Sequence, residues 1–377
     1  MADDSGQTAG DGPFRVFCFA TQGSGGNEEA RIVTLLSAFS LTIWPYDRTA
    51  RVREVWRLLG ALRRQRPDLV VMEGSGSPGG IAIMLARLLF GMPYLVSSGD
   101  AIAPFLTMHY PLLKPGFFLY EKLLCRLSSG FIGWTPYLVG RAITYGAPRG
   151  VTAAGFSHHP RRGDARAKMR AALNIPDDAI VFGLLGALVW TESRQYCYGL
   201  ELVQALRTAH REDVYVLIVG DGTGKRRLEQ LAGDQLGARI VMPGRCSLDE
   251  VPAYLAAMDL GSLPQSVDPV GALRYTTKIA EYVSAGLPLI TSQIPFAYDF
   301  DAEWILRLPG ANPWDLEYVA ALGRLMATIQ RPEIGRLRGL VPDSLPEFDA
   351  DRQQARVTAF VSDLLHARRA VKLEHAP

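Results

Sequence analysis

Short apolar runs rich in β-branched and aromatic residues alternate along this chain with longer runs whose apolar residues recur every three or four positions. The first kind reads as buried strand and the second as amphipathic helix. In the first part of the chain the predicted strands are Phe14–Ala20, Leu41–Tyr46, Asp68–Glu73, Pro93–Ser97 and Gly130–Trp134. Predicted helices lie at Glu28–Phe39, Arg51–Arg66, Ile81–Phe90, Phe117–Leu127 and Tyr137–Tyr145. Strands that alternate with helices imply a parallel sheet covered on both faces, because parallel neighbours are joined by crossover helices.

The pattern pauses over 155–163 (GFSHHPRRG) and then restarts. Strands are predicted at Ala179–Leu185, Val214–Val219, Arg239–Met242, Leu260–Leu263 and Pro288–Ser292, with a helix at Leu200–Ala209 and a last amphipathic helix over about Asp349–Arg369. The expected layout is a disordered lead at 1–12, Rossmann-like domains at 13–157 and 158–348, and a C-terminal helix and tail at 349–377. A length of 377 residues suits two domains. Ligands of open parallel sheets sit beyond the carboxyl ends of the strands. Two such domains facing each other would hold a cleft between those ends, so the chemistry is sought in the loops that follow strands.

Composition narrows the function classes. A chain with 48% hydrophobic and 21% charged residues is globular. A net charge of +2 argues against a dedicated nucleic-acid partner. Residues 1–150 hold 15 basic and 11 acidic residues and the remainder 25 and 27, so the first domain is mildly basic and compatible with an anionic membrane or a phosphate-bearing substrate. Four cysteines without CxxC spacing predict neither a disulfide framework nor a zinc site, as suits a reducing cytoplasm. The start, MADDSGQTAGDGP, lacks the basic-then-apolar pattern of a signal peptide. The most apolar stretch, Gly80–Val96, is interrupted by Arg87, Gly91 and Pro93, so no spanning helix is expected. The expected location is cytoplasmic, with the inner face of the membrane as a variant. Phe117–Leu127, with Lys114, Lys122 and Arg126, reads either as a peripheral membrane contact or as a helix packed on the sheet with its basic residues in water.

The richest segment is Leu263–Ile290, LPQSVDPVGALRYTTKIAEYVSAGLPLI. A strand ends at Leu263, a loop containing Gly271 follows, and a helix runs from about Thr276 to the stop at Gly286 and Pro288. Ile279 and Val283 share one face, whereas Thr277, Lys278 and Glu281 share the other. The helix start offers backbone N–H groups and a positive dipole end, Thr276 and Thr277 offer hydroxyls, and Arg274 and Lys278 offer charge. Such a group of donors suits a diphosphate, with Glu281 placed one turn on to accept from ribose hydroxyls. Spacing alone fits equally well an ordinary exposed helix with Lys278 and Glu281 as a surface pair.

KIAEYVSAGLPLI (278–290) resembles the helix-and-strand motif of family 4 glycosyltransferases of the GT-B fold, E-x7-E-x-x-x-A-G-x-P. Glu281, Gly286 and Pro288 match it. IVGDGTGKRRLEQLA (218–232) resembles the family's GDG turn, and VMPGRCSLDEVPAYLAAMDLGSLP (241–264) its next elements. The resemblance implies transfer of a sugar from a nucleotide diphosphate sugar to a saccharide or lipid-linked acceptor, with retention and without a metal ion or other cofactor. It implies Glu281 on the ribose, the base over loop 243–247 with Arg245, and the loop holding Gly25 and Gly26 near the donor. Glu28 is a further candidate sugar contact, although Asn27, Glu28 and Glu29 equally suit helix capping. The chain departs from the pattern at three places: Leu273 replaces the first glutamate, Ala187 the arginine after the first strand of the second domain, and Gly99 a common histidine. Arg194 is the one cation left in loop 186–199, and Asp100 keeps the acid after Gly99. The catalytic candidates are thus Asp100, Lys278 and Glu281. Asp299-Phe300-Asp301 spells a DxD far from the expected position, and His158 and His159 sit beside Arg161 and Arg162 in the presumed linker, so no metal site is predicted. A sugar-nucleotide epimerase and a catalytically silent partner of another glycosyltransferase remain as alternatives.

Overall fold

The structure, a computed structural model, describes residues 14–156 and 165–374. The predicted lead at 1–12 and the histidines of the presumed linker lie outside the described residues. The chain divides into two compact units, Met1–Ala154 with Ala350–Pro377, and Gly155–Asp349.

The first unit runs β1 (Arg15–Ala20), α1 (Asn27–Leu35), β2 (Ser40–Ile43), α2 (Arg51–Gln65), β3 (Leu69–Glu73), α3 (Ser77–Phe90), β4 (Tyr94–Ser98), α4 (Ile102–His109), α5 (Lys114–Leu127), β5 (Gly130–Gly133), α6 (Pro136–Thr144) and β6 (Gly150–Thr152). Its six strands are parallel, in the order β2-β1-β3-β4-β5-β6. Every residue of β3 and β4 is buried, which is why these strands read as continuous apolar runs, whereas edge strand β2 is largely exposed.

The second unit runs α7 (Ala165–Ala172), β7 (Ile180–Leu185), α8 (Leu200–Ala209), β8 (Val214–Val219), α9 (Lys225–Ala232), β9 (Ile240–Gly244), α10 (Val251–Ala257), β10 (Leu260–Leu263), α11 (Thr277–Ser284), β11 (Leu289–Thr291), α12 (Pro295–Asp299), β12 (Ile305–Arg307), α13 (Leu316–Thr328) and α14 (Arg331–Leu340). Its strands are parallel too, in the order β12-β11-β10-β7-β8-β9. Helices α8 and α13 bury Leu202, Leu206, Tyr318, Leu322 and Met326 in one core.

The last helix, α15 (Ala350–Glu374), returns to the first unit and packs on α1 and β6. There Gln354 donates to the Ser37 hydroxyl at 2.7 Å, Arg356 donates to the Thr152 carbonyl at 3.2 Å, and the His366 ring meets Phe14 edge-on at 5.1 Å.

Two helices begin earlier than the apolar spacing indicates: α3 at Ser77 and α5 at Lys114. Pro78 and Pro115 occupy their first turns, where a missing N–H breaks no bond and no apolar stripe has yet begun. Helix α4 (IAPFLTMH) is apolar nearly all round and shows no stripe, and β6 and β12 are three residues each, too short to show a period. All three, with α7, α13 and α14, emerge from the structure alone.

In each sheet the chain works outward from one strand and then resumes on that strand's other side: β3 beside β1, and β10 beside β7. At such a switch point the two following loops diverge and leave a crevice at the carboxyl ends. In the second unit those loops are 186–199 and 264–276, and in the first they are 21–26 and 74–76.

Candidate active site

At the switch point of the second unit, Asp268 shapes the loop that leads into α11. Its carboxylate accepts from the backbone of Val270 (2.9 Å) and Gly271 (2.8 Å), from the Ser266 hydroxyl (2.7 Å) and from Arg194 (3.1 Å). Burial pushes this carboxyl up, but the hydrogen bonds and the Arg194 charge outweigh it and hold the group below the usual carboxylate range. Arg194, reaching over from loop 186–199, also lies over the Trp314 ring at 5.1 Å. Arg194 and Gly271 are therefore engaged in holding two loops together. Arg274 follows in extended backbone and is half-buried.

Helix α11 then begins with Thr276 as its N-cap. The hydroxyl makes no cap bond, and its oxygen is buried without a hydrogen-bond partner. A buried hydroxyl left so costs about 1–3 kcal/mol, which makes it a standing acceptor-seeking group. Beside it the first-turn N–H groups of Thr277 and Lys278 have no carbonyl within the helix to bond, and the positive end of the helix dipole adds to them.

Lys278 turns back toward β7. Gly186, the first residue after that strand, gives it room: a Cβ there would lie 2.7 Å from Lys278 Cε and 3.1 Å from Nζ. The ammonium sits 5.3 Å from the Tyr198 ring centroid. Lys278 thus brings a cation to the loop in which Ala187 stands where the resembling family has arginine.

Glu281 lies one turn on. Burial pushes its carboxyl up and the Lys278 charge pulls it down, with a net rise above the usual range. Its charge also reaches Cys246, whose thiol is raised first by burial, then by Glu250 and Glu281. The Glu281 charge is thus felt within loop 243–247. That loop is closed by Ser247, whose N–H and hydroxyl both donate to Glu250 at 2.8 Å, and Arg245 within it is exposed. The far face of α11 is buried through Ile279, Ala280, Tyr282 and Val283. The Tyr282 hydroxyl donates to the Ser262 carbonyl (3.1 Å) and accepts from Leu185 N–H (3.2 Å), which fixes the helix to β10 and β7.

The GDG turn after β8 supports the same crevice from below. Leu188 donates to the Asp221 carbonyl (3.0 Å), Gly224 to the Leu188 carbonyl (2.7 Å) and Trp190 to the Thr223 hydroxyl (3.0 Å), so loop 186–199 rests on loop 220–224. Two residues unforeseen in the sequence matter here. Asp268 carried a faint signal, an acid before Pro269 in a post-strand loop. Glu201 carried none: it is fully buried at the start of α8, accepts from Tyr196 (2.8 Å), Gly199 N–H (3.0 Å) and Ser262 (3.3 Å), and burial raises its carboxyl to about 7.

Gly25, Gly26 and Asp100 belong to the first unit. Gly25 N–H donates to Glu29 (2.9 Å), Gly26 is the exposed N-cap of α1, and Glu28 lies against Gly74. Beneath them Arg31 and Glu73 form a buried ion pair at 2.9 Å. Arg31 also donates to Ser97 (3.3 Å) and the Ala153 carbonyl, and stacks on Trp134 at 4.5 Å, while Trp134 Nε1 donates to Glu73 (3.2 Å). A Cβ at Gly99 would lie 2.8 Å from the Trp134 ring, so the indole takes the space of a side chain at that position. Asp100, next in the chain, is half-buried and its N–H donates to Ser98 Oγ at 3.1 Å.

The DxD carboxylates go separate ways: Asp299 accepts from Tyr275, and Asp301 pairs with Arg307 at 2.8 Å. Among the described residues no three His, Cys, Asp or Glu side chains group as metal ligands do, and no helix is long and apolar enough to cross a membrane.

Residues 9–154 match the glycosyl transferase 4-like domain, and residues 179–309 match the domain described as glycosyl transferases group 1. The chain belongs to the group 1 glycosyltransferases. No curated protein matches this glycosyltransferase by sequence. Its fold is shared with HepE from Anabaena, solved in complex with UDP and glucose (TM-score 0.70, 14% identity, 93% of this chain and 100% of that one). It is shared too with sucrose-phosphate synthase from Thermosynechococcus elongatus (TM-score 0.63, 15% identity, 96% and 98%) and with WaaG, a glycosyltransferase involved in lipopolysaccharide biosynthesis (TM-score 0.58, 15% identity, 91% and 95%). The GT-B architecture expected from the sequence, two parallel sheets flanked by helices, is the one observed.

Proposed function

We propose that this glycosyltransferase moves a sugar from a nucleoside diphosphate sugar to an acceptor hydroxyl, with retention of configuration and without a metal ion or other cofactor. The observation that carries this reading is the partnerless Thr276 hydroxyl at the start of α11, followed on the same helix by Lys278 and Glu281. The diphosphate oxygens would accept from Thr276, Thr277 and the first-turn N–H groups, and Lys278 would offset the charge that grows on the leaving diphosphate. Glu281 would accept from the ribose hydroxyls, and loop 243–247 would cover the base. HepE is seen with UDP and with UDP-glucose, which makes uridine nucleotides the first donors to test. The acceptor is a saccharide or lipid-linked saccharide of polysaccharide or glycolipid assembly, met in the cytoplasm or at the inner membrane face.

The test is the thermal stability of the full chain against a panel of nucleoside diphosphates and their sugars. A ligand at 100 times its dissociation constant stabilises by about 2.7 kcal/mol. A selective rise with one nucleotide series is expected. A folded sample that responds to none of them would overturn the reading in favour of a silent partner protein.

A further inference from the structure

The first unit contains a cleft apart from the residues assigned to sugar transfer above. It lies where the chain enters β5 and β6, between the C-terminal end of α3 and the last turns of α15, and has a volume of about 460 Å³. Arg87, Arg149 and Arg368 line it, with Ser128 and Ser129 at its back and Leu364 on one wall. This is the amino-terminal end of the sheet, opposite the loops that hold Gly25 and Asp100.

Two other arginines of this unit that reach inward meet a carboxylate: Arg31 meets Glu73 (2.9 Å) and Arg141 meets Glu121 (2.7 Å). The cleft arginines meet none among the described residues. Arg87 and Arg368 share one acceptor, the Gly91 carbonyl, at long distances of 3.3 and 3.4 Å. A guanidinium carries five N–H donors, so most of theirs still face the cleft or water. Burial and the nearby Arg87 charge lower the pKa of Arg368. Like charges gathered in a partly desolvated cleft are unfavourable by themselves, and an anion that bonds several of them at once reverses the sign.

We propose that this cleft is a binding site for a phosphate group, held by Arg87, Arg149 and Arg368. Planar guanidinium forks match tetrahedral oxyanions with paired hydrogen bonds. The phosphate has two possible carriers, a soluble phosphorylated compound and a phospholipid. The surroundings favour the second: Leu88, Leu89 and Phe90, directly after Arg87, are 65%, 62% and 39% exposed, and Leu123, one turn before the end of α5, is 42% exposed. Apolar side chains beside a cationic cleft suit an anionic bilayer surface.

The experiment uses the full chain and two probes. Glycerol 3-phosphate is titrated calorimetrically, and phosphatidylcholine vesicles with and without phosphatidylglycerol are used in co-sedimentation. The variants are R87Q/R368Q and R149Q, with R63Q, at an exposed position of α2, as a control that removes the same charge as R149Q. Wild type is expected to bind at least one phosphate probe, with about 10-fold weaker binding in R87Q/R368Q, a several-fold loss in R149Q and no change in R63Q. Binding to the anionic vesicles alone identifies the phospholipid, and binding to glycerol 3-phosphate the soluble carrier. Nucleotide-induced stabilisation should be the same in all four proteins, which separates this site from the one on α11. The Arg149 side chain is exposed and makes no hydrogen bond to a described residue, so R149Q carries the test should R87Q/R368Q fold poorly. Binding of neither probe, binding unaltered in the cleft variants, or an equal loss in R63Q would overturn the proposal.

Discussion

Replacing Glu281 with alanine separates a ligand-binding carboxylate from a structural one. Glu281 is partly buried, its carboxyl is raised by desolvation, and the Lys278 charge offsets only part of that cost. A group held so at the end of a crevice weakens the free protein slightly, so the free E281A protein should melt at the wild-type temperature or above it. With nucleotide the order reverses. A hydrogen bond to a charged group is worth roughly 1.5–3 kcal/mol, or about 10- to 100-fold in affinity. Wild type at 100 times its dissociation constant gains about 2.7 kcal/mol; a variant that binds about 30-fold more weakly gains only about 0.9 kcal/mol at the same concentration. At roughly 2–4 °C per kcal/mol for a unit of this size, a shift of about 5–11 °C should fall to about 2–4 °C. Differential scanning fluorimetry at fixed nucleotide measures both numbers. An undiminished shift in E281A would refute the ribose assignment. A free variant weaker by more than about 2 kcal/mol would show that the carboxylate serves the fold instead.

Four further variants probe the two units. Gly186→Ala puts a methyl group 2.7 Å from Lys278 Cε and must displace the lysine's flexible end; about 10-fold weaker nucleotide binding is expected with little change in the free melting temperature, read in the same assay. Glu201, with its carboxyl raised to about 7, holds a proton in the folded state that the unfolded chain releases near its ordinary value; its cost is absent below about pH 4.5, grows as pH rises and is complete above 7. Urea denaturation of wild type and Glu201→Gln across that window should show stabilities that diverge with rising pH in favour of the variant, by up to about 3 kcal/mol. Glu73→Gln leaves Arg31 buried without its counter-charge and should destabilise by roughly 3–5 kcal/mol in the same measurement, while Arg31→Met with Glu73→Leu should recover most of the loss.

The alternation of strand and helix was legible because both sheets are parallel and covered on both faces, so their central strands, such as VYVLIV at 214–219, are apolar throughout. The start of α11 was legible because its loop, cap and stop residues fall in an order that few other structures use. What escaped reading depends on residues distant in the chain. The Arg194–Asp268 pair spans two loops, and only the β7–β10 neighbourhood reveals that this cation is engaged. The Trp134 indole beside Gly99 comes from the next strand, and a sequence that shows glycine in place of a histidine cannot show what fills the gap. Glu201 reads like any acid in the first turn of a helix, since burial leaves no local mark.

The return of α15 to the first unit has a consequence for how the protein is made. Residues of the second unit are contiguous, whereas the seam formed by α1 and β6 is closed only by residues from 350 onward. At about 5–20 residues per second, synthesis of the intervening roughly 200 residues takes about 10–40 s. Throughout that interval the first sheet exists without its last helix, while the second unit emerges whole and can fold first. A chain broken off anywhere before 350 never closes the seam, so a finished first unit is by construction the mark of a chain that has passed through its second unit.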